Sequence, residues 1–327
     1  MNMSMNIPVQ ERFKSPPLPP FAEHSILLAD GRELGVAEFG DPGGFPVLWF
    51  HGTPGARRQI PPDAPAYAER SKVRLIAPER PGVGWSTSHG DRTLLSFTED
   101  IGELLDALGI SRFGVAGLSG GGPHVLAVAH EFPDRVVGAA LLGSMVPMHG
   151  PDAPSDLPDL LPIALRTVHR LRGPLSDLMT QLLKRIKPEH IDVVMPLALK
   201  ILPENDSQII GTPGFSQMFS EDLYEASRVQ FRAQIHDLSA LAQDWGFSPR
   251  NLQVPVKSWH GAADMLVPLS HAQHLVNLIP NAELVSIEDQ GHFAGYASAP
   301  DVIDWLLTLA QPPKRRSAPR KHRRKPK

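Results

Sequence analysis

The sequence predicts an α/β fold in which a mostly parallel, eight-stranded sheet is flanked by helices and an inserted helical cap covers one edge. Three observations support this prediction. Short apolar runs alternate with helical stretches, several of these runs are apolar throughout, and one long helical interval interrupts the alternation. Strands that alternate with helices form a parallel sheet covered on both faces, and continuous apolar runs are typical of its buried strands.

The predicted strands fall into two groups. Two segments, Ser25 to Leu28 and Glu33 to Phe39, alternate in the strand manner and flank Asp30-Gly31, a hairpin signal. The other six are apolar runs, at Pro46 to Phe50, Val73 to Ala77, Phe113 to Ala116, Val136 to Leu142, Val256 to Trp259 and Leu284 to Ile287. Helical spacing of apolar residues predicts helices over Phe97 to Leu108 and Leu269 to Leu278.

Four regions follow from this pattern. Residues 22–146 and 251–311 form the predicted core, and the proline-punctuated helical residues 147–250 form the predicted cap. The predicted cap is inserted between two consecutive central strands, so we expect it to lie beside the sheet edge where ligands bind. We expect the proline-rich leader, residues 1–21, to be poorly ordered and the basic tail, residues 312–327, to be disordered.

Composition limits the chemistry. The chain has 327 residues, of which 42% are hydrophobic and 20% are charged, as in an ordinary globular protein with one main domain. It contains no cysteine, which excludes disulfides, thiolate metal sites and cysteine nucleophiles. A nucleophile in this chain must therefore be an oxygen or a nitrogen atom.

Charge is unevenly distributed. Residues 314–327 contain nine Lys or Arg and no acid, which leaves 23 bases against 35 acids in the preceding residues, a net charge of −12 there. Weak attraction of this tail to nucleic acid or anionic lipid is one interpretation, and a solvated tail without a specific role is the favoured one. The tail alone does not define a nucleic-acid-binding protein.

The remaining partner and compartment predictions are expected absences. The first residues lack the basic-then-apolar order of a signal peptide, since Ile7-Pro8-Val9-Gln10 is followed at once by charged residues. No apolar run reaches membrane-spanning length. We therefore expect a cytoplasmic protein without a membrane span, and we also expect no specific nucleic-acid partner, no metal and no cofactor.

The most informative motif is Gly117-Leu118-Ser119-Gly120-Gly121. It lies between the strand-like run Phe113 to Ala116 and the helix-like run His124 to His130. A G-x-S-x-G pattern in this strand-turn-helix setting predicts a nucleophile elbow, in which a strained turn exposes the serine hydroxyl and glycines two residues away on either side avoid collisions. The alternative is a glycine-rich loop that only packs a helix closely against a strand.

A serine hydroxyl needs a base to accept its proton and a third group to orient that base. His292 follows the last predicted strand in a short loop beside Gly291, and Asp264 follows the preceding strand. The order Ser119, Asp264, His292 is the one expected for an elbow-type hydrolase. A turn or N-cap role for Asp264 is the competing interpretation. His260 is predicted to lie too close to Asp264 in the chain to be paired with it.

Acyl transfer also needs donors for the developing oxyanion. The N–H of Gly120, directly after the nucleophile, should supply one, and the loop after Pro46 to Phe50 should supply the other. We assign the second donor to the N–H of Thr53, because Pro54 has none. His51 and Gly52 are predicted to brace this loop, and Gly117 and Gly121 to make room for the elbow.

With these motifs the sequence resembles the α/β-hydrolase family, specifically its capped members with an HG-x-PG oxyanion loop. The resemblance covers about residues 25 to 310, through the motifs His51 to Gly55, Arg80 to Ser86, Gly117 to Gly121, Asp264 and Gly291-His292-Phe293. Family members usually have aspartate at the position of Glu79, a departure in a structural turn. Aspartate-nucleophile relatives, the haloalkane dehalogenases and epoxide hydrolases, are disfavoured by Ser119.

The resemblance implies a cofactor-independent serine hydrolase. We predict hydrolysis of a carboxylic ester of a small, fairly apolar substrate through an acyl-enzyme on Ser119. The first alternative is an aminopeptidase or amidase of the prolyl aminopeptidase type, although such enzymes usually have tryptophan where this chain has Leu118 and bind the substrate amine with cap acids. The second is a non-catalytic ligand-binding protein on the same fold. The same triad also serves perhydrolysis, C–C hydrolysis and lactone opening.

Overall fold

The eight predicted strands form one sheet. The computed structural model describes residues 9–90, 92–157, 202–228 and 232–311 of the 327-residue chain. Its strands are β1 (Ala22–Leu27), β2 (Glu33–Gly40), β3 (Phe45–Phe50), β4 (Val73–Pro78), β5 (Phe113–Leu118), β6 (Val136–Leu142), β7 (Val256–Gly261) and β8 (Ala282–Ile287). All eight overlap the predicted runs, and β8 begins two residues before its predicted start because Ala282 and Glu283 pair with β7.

The strand order in the sheet is β1-β2-β4-β3-β5-β6-β7-β8. Strand β2 pairs antiparallel with β1 and β4, and every other pair is parallel. The register aligns the carboxyl ends of the central strands: Phe50 is opposite Gly117, and Leu118 is opposite Leu142. The loops that follow β3, β5, β6 and β7 therefore emerge at one edge, where ligands bind in sheets of this kind.

Ten helices accompany the sheet in the described part of the chain. They are α1 (Val9–Arg12), α2 (Ala64–Arg70), α3 (Leu94–Ala107), α4 (Gly122–Glu131), α5 (Glu204–Ile210), α6 (Pro213–Ser227), α7 (Arg232–Leu241), α8 (Leu269–Leu278), α9 (Ala294–Ala297) and α10 (Ala299–Ala310). Within these ranges no helix is long and apolar enough to cross a membrane.

Helix α3 begins three residues before its predicted start because of a capping box. The hydroxyl of Thr93 accepts a hydrogen bond from the backbone N–H of Ser96, and the Ser96 hydroxyl accepts one from the N–H of Thr93. The helix ends before Gly109, which has a φ of +65° and is followed by a change of direction that glycine permits. Apolar periodicity predicts that a helix forms here, but the capping box of Thr93 and Ser96 determines the residue at which it begins.

The sheet separates two apolar layers. Alternate residues of a strand point to opposite faces, so Leu48 and Phe50 of β3 pack in one layer with α3 and α4. Val47 and Trp49 pack in the other layer with α2 and α10. Both faces are covered, which confirms the prediction of a mostly parallel α/β sheet flanked by helices.

The leader differs from its expected poor order where the structure describes it. Phe13 is fully buried and packs on Phe215 of α6, with the two ring centroids 6.0 Å apart. Arg12 forms an ion pair with Asp63 at 2.7 Å. The burial of Phe13 and the ion pair of Arg12 offset the entropy that is lost when this segment becomes ordered. The proline-rich composition alone predicts that this entropy loss is not offset. Residues 1–8, the basic tail at 312–327 and residues 158–201 of the predicted cap lie outside the described ranges.

Candidate active site

Ser119 lies on a sharp turn between β5 and α4. Its φ of +47° is strained for a residue with a side chain, and residues Ser119–Gly121 form a single 3₁₀ turn before α4 begins. A Cβ atom at Gly117 would lie 2.7 Å from Cγ2 of Val125, and one at Gly121 would lie 2.5 Å from the carbonyl oxygen of Phe50. This is the geometry expected of a nucleophile elbow.

The crowding at Gly117 leads to a stability prediction. We expect Gly117→Ala to lower the free energy of unfolding by about 1–3 kcal/mol, because the added methyl group overpacks the turn. Gly90→Ala is the matched control, since a Cβ at Gly90 would have no neighbour within 4 Å. Urea unfolding followed by circular dichroism measures both changes. Equal stability of the two variants would show that Gly117 is not required sterically.

Asp264 and His292 are in direct contact. The Nδ1 of His292 lies 2.7 Å from Oδ2 of Asp264, and both side chains are buried. Because the carboxylate can only accept, Nδ1 donates and Nε2 is left unprotonated in the neutral ring. The Oδ1 of Asp264 accepts hydrogen bonds from the N–H groups of Leu266 and Val267 at 2.8 and 2.9 Å. One carboxylate oxygen therefore contacts His292 while the other accepts the hydrogen bonds of the turn, so a turn role does not exclude the predicted pairing of Asp264 with the histidine.

His260 also contacts Asp264, contrary to the expectation from their short separation in the chain. Its Nε2 lies 3.3 Å from Oδ2 of Asp264 and 2.7 Å from the carbonyl oxygen of Val267. The loop after β7 turns back over the strand end, which brings residues four apart together. Burial alone would raise the pKa of Asp264, but hydrogen bonds from His260 and His292 hold that pKa well below its usual range.

The imidazole of His292 lies at the end of β6, next to the elbow. A Cβ atom at Gly143 would be 3.4 Å from Nδ1 and Cε1 of His292. Two residues further on, the N–H of Met145 donates to the carbonyl oxygen of Ser119 at 3.2 Å. Among the described residues no hydrogen bond joins the Ser119 hydroxyl to His292. Such contacts are often long without substrate and shorten when it binds.

The predicted oxyanion loop lies against the elbow. A Cβ atom at Gly52 would be 3.6 Å from Cβ of Ser119, and one at Gly120 would be 2.5 Å from Oγ1 of Thr53. The N–H of Thr53 has no hydrogen-bond partner within the described ranges. The N–H of Gly120 is in the first turn of a helix, where intrahelical acceptors are lacking. Both predicted donors are therefore available at this edge.

His51 is a neutral side chain within this loop. Its Nδ1 donates to the carbonyl oxygen of Gly52 at 2.9 Å, and its Nε2 accepts from the N–H of Arg80 at 3.4 Å. Burial, followed by the nearby charge of Arg80, holds the pKa of His51 well below its usual value. Both ring nitrogens of His51 form hydrogen bonds with the backbone, which supports a structural role for this side chain rather than that of a catalytic base.

Sequence reasoning missed the side chains that attach helices of the predicted cap to the loops of the candidate site. The carboxylate of Asp206 in α5 accepts a hydrogen bond at 2.9 Å from the N–H of Phe293, the residue directly after His292. Its carboxylate occupies the space beside Gly291, where a Cβ would lie 2.4 Å from it. Gln234 of α7 donates to the carbonyl oxygen of Gly55 at 3.0 Å. These residues belong to helical stretches without a motif, and only the glycine at position 291 gave a local signal of close packing.

Glu79, the departure from the family pattern, is a buried ion-pair partner. It accepts from Nη1 of Arg57 at 2.7 Å and from the N–H of Trp85 at 2.6 Å. Burial raises the pKa of Glu79, and the positive charge of Arg57 opposes this shift. Its extra methylene is accommodated because Gly35 and Gly84 have no side chain to occupy the same space. The described contacts of Glu79 do not include Ser119, Asp264 or His292.

The family assignment follows from the sequence as well as the fold. A family profile described as alpha/beta hydrolase fold matches residues 46–298, and the chain belongs to this family. A thermophilic esterase from Thermogutta terrifontis, in a malate-bound structure, has the same fold with a TM-score of 0.62 and 20% identity. The alignment covers 89% of this chain and all of that one.

Similar curated proteins act on more than one kind of bond. The 2-hydroxymuconate semialdehyde hydrolase of Pseudomonas putida is 29% identical over 269 residues, covering 82% of this chain and 86% of that protein. A probable proline iminopeptidase of Leptolyngbya boryana is 25% identical over 296 residues, covering 85% and 90%. These relatives are hydrolases, so the class of enzyme is shared while the bond that is cleaved differs among them.

Proposed function

We propose that this protein is a serine hydrolase that cleaves the carboxylic ester of a small, fairly apolar substrate. The observation that supports this proposal most directly is the 2.7 Å contact between Nδ1 of His292 and Oδ2 of Asp264, beside a serine held at a φ of +47°. An oriented imidazole next to a strained, presented hydroxyl is the arrangement that nucleophilic acyl transfer requires.

The mechanism assigns one role to each group. The Oγ of Ser119 attacks the ester carbonyl carbon while Nε2 of His292 takes its proton, and the N–H groups of Gly120 and Thr53 stabilise the oxyanion. Collapse of the tetrahedral intermediate breaks the bond to the alcohol, which leaves with the proton from His292. Water, deprotonated by the same imidazole, then attacks the acyl-enzyme, and the carboxylic acid is released as Ser119 regains its proton.

An aminopeptidase is the second candidate, favoured by the similarity to proline iminopeptidases. Such an activity needs a carboxylate available for the substrate ammonium group. In the described helices of the predicted cap the buried carboxylates already have partners: Asp206 the backbone N–H of Phe293, Asp222 the backbone N–H groups of Ala56 and Arg58, Glu225 the side chain of Arg57, and Asp237 that of Arg80. This pairing supports an uncharged substrate.

A fluorophosphonate probe tests the nucleophile without knowledge of the substrate. We expect it to label the wild-type protein covalently and to leave Ser119→Ala unlabelled, because the probe reacts only with an activated hydroxyl. Intact mass spectrometry measures the adduct. Ser144→Ala is a matched control, since it removes a second hydroxyl at the same sheet edge, and it should be labelled. Labelling of Ser119→Ala at the wild-type rate would disprove the assignment.

A substrate panel separates the two candidate activities. We expect p-nitrophenyl esters of varied acyl length to be hydrolysed with higher kcat/KM than aminoacyl anilides, including a prolyl anilide. A preference for the prolyl anilide would favour the aminopeptidase. A protein that is labelled by the probe but hydrolyses neither class would point to another acyl-transfer reaction of the same triad.

A further inference from the structure

Arg80 is a fully buried side chain whose donors converge on the oxyanion loop. Its Nη1 donates to the carbonyl oxygen of His51 at 2.6 Å, and its Nη2 donates to the carbonyl oxygen of Gly52 at 2.8 Å. The same Nη2 lies 2.8 Å from Oγ1 of Thr53. The planar fork of an arginine is suited to holding several acceptors in one fixed geometry.

The contact with Gly52 fixes the direction of the neighbouring N–H. The carbonyl of Gly52 and the N–H of Thr53 belong to one peptide unit, which is planar and, unlike the Thr53–Pro54 bond, trans. In a trans peptide the C=O and the N–H point in opposite directions. The carbonyl oxygen of Gly52 accepts hydrogen bonds from both Arg80 and His51. The Thr53 N–H is therefore directed away from Arg80. The Thr53 side chain lies beside Gly120.

A cap residue holds Arg80 in this position. Asp237 of α7 accepts a hydrogen bond from Nε of Arg80, and its Oδ2 also accepts from the Thr53 hydroxyl at 3.3 Å. The other oxygen of Asp237 accepts from Arg92, which donates in addition to the carbonyl oxygen of Ala233 at 2.7 Å. The Asp237 side chain is therefore buried between two arginines, 157 residues away from Arg80 in the chain.

We propose that Arg80, held by Asp237, is a positioning residue of the oxyanion hole that sets the direction of the Thr53 N–H. The inference rests on the proposed function, because it assigns that N–H to the tetrahedral intermediate. It also makes the geometry of the hole depend on a residue of a cap helix. A misplacement of about 1 Å in a catalytic group can lower a rate about 100-fold.

Arg80→Lys and Asp237→Asn test this role. A lysine ammonium retains the charge but cannot reproduce the fork, and asparagine retains the shape of aspartate without its charge. We expect Arg80→Lys to lower the second-order rate constant of fluorophosphonate labelling about 10- to 100-fold, and Asp237→Asn about 10-fold. We also expect kcat for a p-nitrophenyl ester to fall in proportion while KM changes less than about threefold.

Arg57→Lys is the matched control. Arg57 is also fully buried and joins a core acid, Glu79, to a cap acid, Glu225, at 2.7 and 3.0 Å. Its side chain bonds no atom of residues 51–53. We expect Arg57→Lys to lower the Tm by as much as Arg80→Lys while labelling stays within about threefold of wild type. Equal labelling losses in the two lysine variants would overturn the proposal. If Arg80→Lys does not melt cooperatively, Asp237→Asn decides alone.

A spectroscopic readout separates this inference from the proposed function. In wild-type protein labelled with ¹⁵N-threonine, we expect the Thr53 amide proton to move downfield when a trifluoromethyl ketone adds to Ser119. No shift in the wild type would refute the oxyanion role of Thr53 itself. A wild-type shift that persists unchanged in Arg80→Lys would refute only the role of Arg80. Loss of the shift in Arg80→Lys, with the adduct still formed, supports it.

Discussion

His292→Ala should lower kcat/KM for the best p-nitrophenyl ester about 10⁵- to 10⁶-fold, because no other group would accept the Ser119 proton during attack. The imidazole is held by Asp264 at 2.7 Å and packs against Gly143. We do not expect His260 to replace it, since its side chain is fully buried and its Nε2 is directed at Val267 and Asp264. Steady-state kinetics, with active-site titration to exclude contaminating esterase, measures the loss.

The control for this prediction is His24→Ala. His24 lies on β1, at the edge of the sheet opposite β7 and β8, and we expect its removal to change kcat/KM less than about twofold. Thermal melting of both variants should show that each is folded. A His292→Ala protein that is folded and retains more than about 1% of wild-type activity would exclude His292 as the general base.

Asp264→Asn should lower kcat about 10⁴-fold. The asparagine oxygen can still accept from the N–H groups of Leu266 and Val267, so the turn should survive. The amide nitrogen would then face Nδ1 of His292, and two donors cannot pair. The ring would have to adopt the other tautomer, with Nε2 protonated and unable to accept from Ser119. Asp289→Asn, the same change at an exposed position of the histidine loop, should retain activity within about twofold.

The same substitution should change how stability depends on pH. The folded-state pKa of Asp264 lies below its usual value, which is about 3.9 in an unfolded chain. The ionised carboxylate therefore adds stability above that pH, and this contribution is lost as the pH falls towards the folded pKa. Between about pH 5 and pH 3 the free energy of unfolding of Asp264→Asn should decline less steeply than that of the wild type. Parallel declines would contradict this electrostatic role.

The fold could be predicted, and the candidate triad residues could be proposed, because their signals are local. Continuous apolar runs such as Val136–Leu142 depend only on neighbouring residues, and the elbow around Ser119 is one turn of chain. Topology then required the ends of β5, β7 and β8 to meet at the same region of the sheet. The roles assigned to Ser119, Asp264 and His292 remain predictions that the experiments above test.

Sequence reasoning failed where distant side chains meet or where a sharp turn reverses the chain. The loop after β7 returns Asp264 to His260, although a separation of four residues predicts that they do not pair. Phe13 is buried against Phe215, although its proline-rich surroundings predicted poor order. Composition describes the average solvation of a segment, whereas a single aromatic side chain can be buried by a surface formed elsewhere in the chain.

The sequence by itself determined the α/β sheet, the strained turn at Ser119 and the chain order of serine, acid and histidine. These features are fixed by residue periodicity, by glycine at the positions that need it and by strand topology. Only the tertiary structure decided that Asp206 holds the histidine loop and that Asp237 holds Arg80 against the oxyanion loop. A buried carboxylate needs a partner within hydrogen-bond distance, and which distant residue supplies that partner is set by how the helices pack.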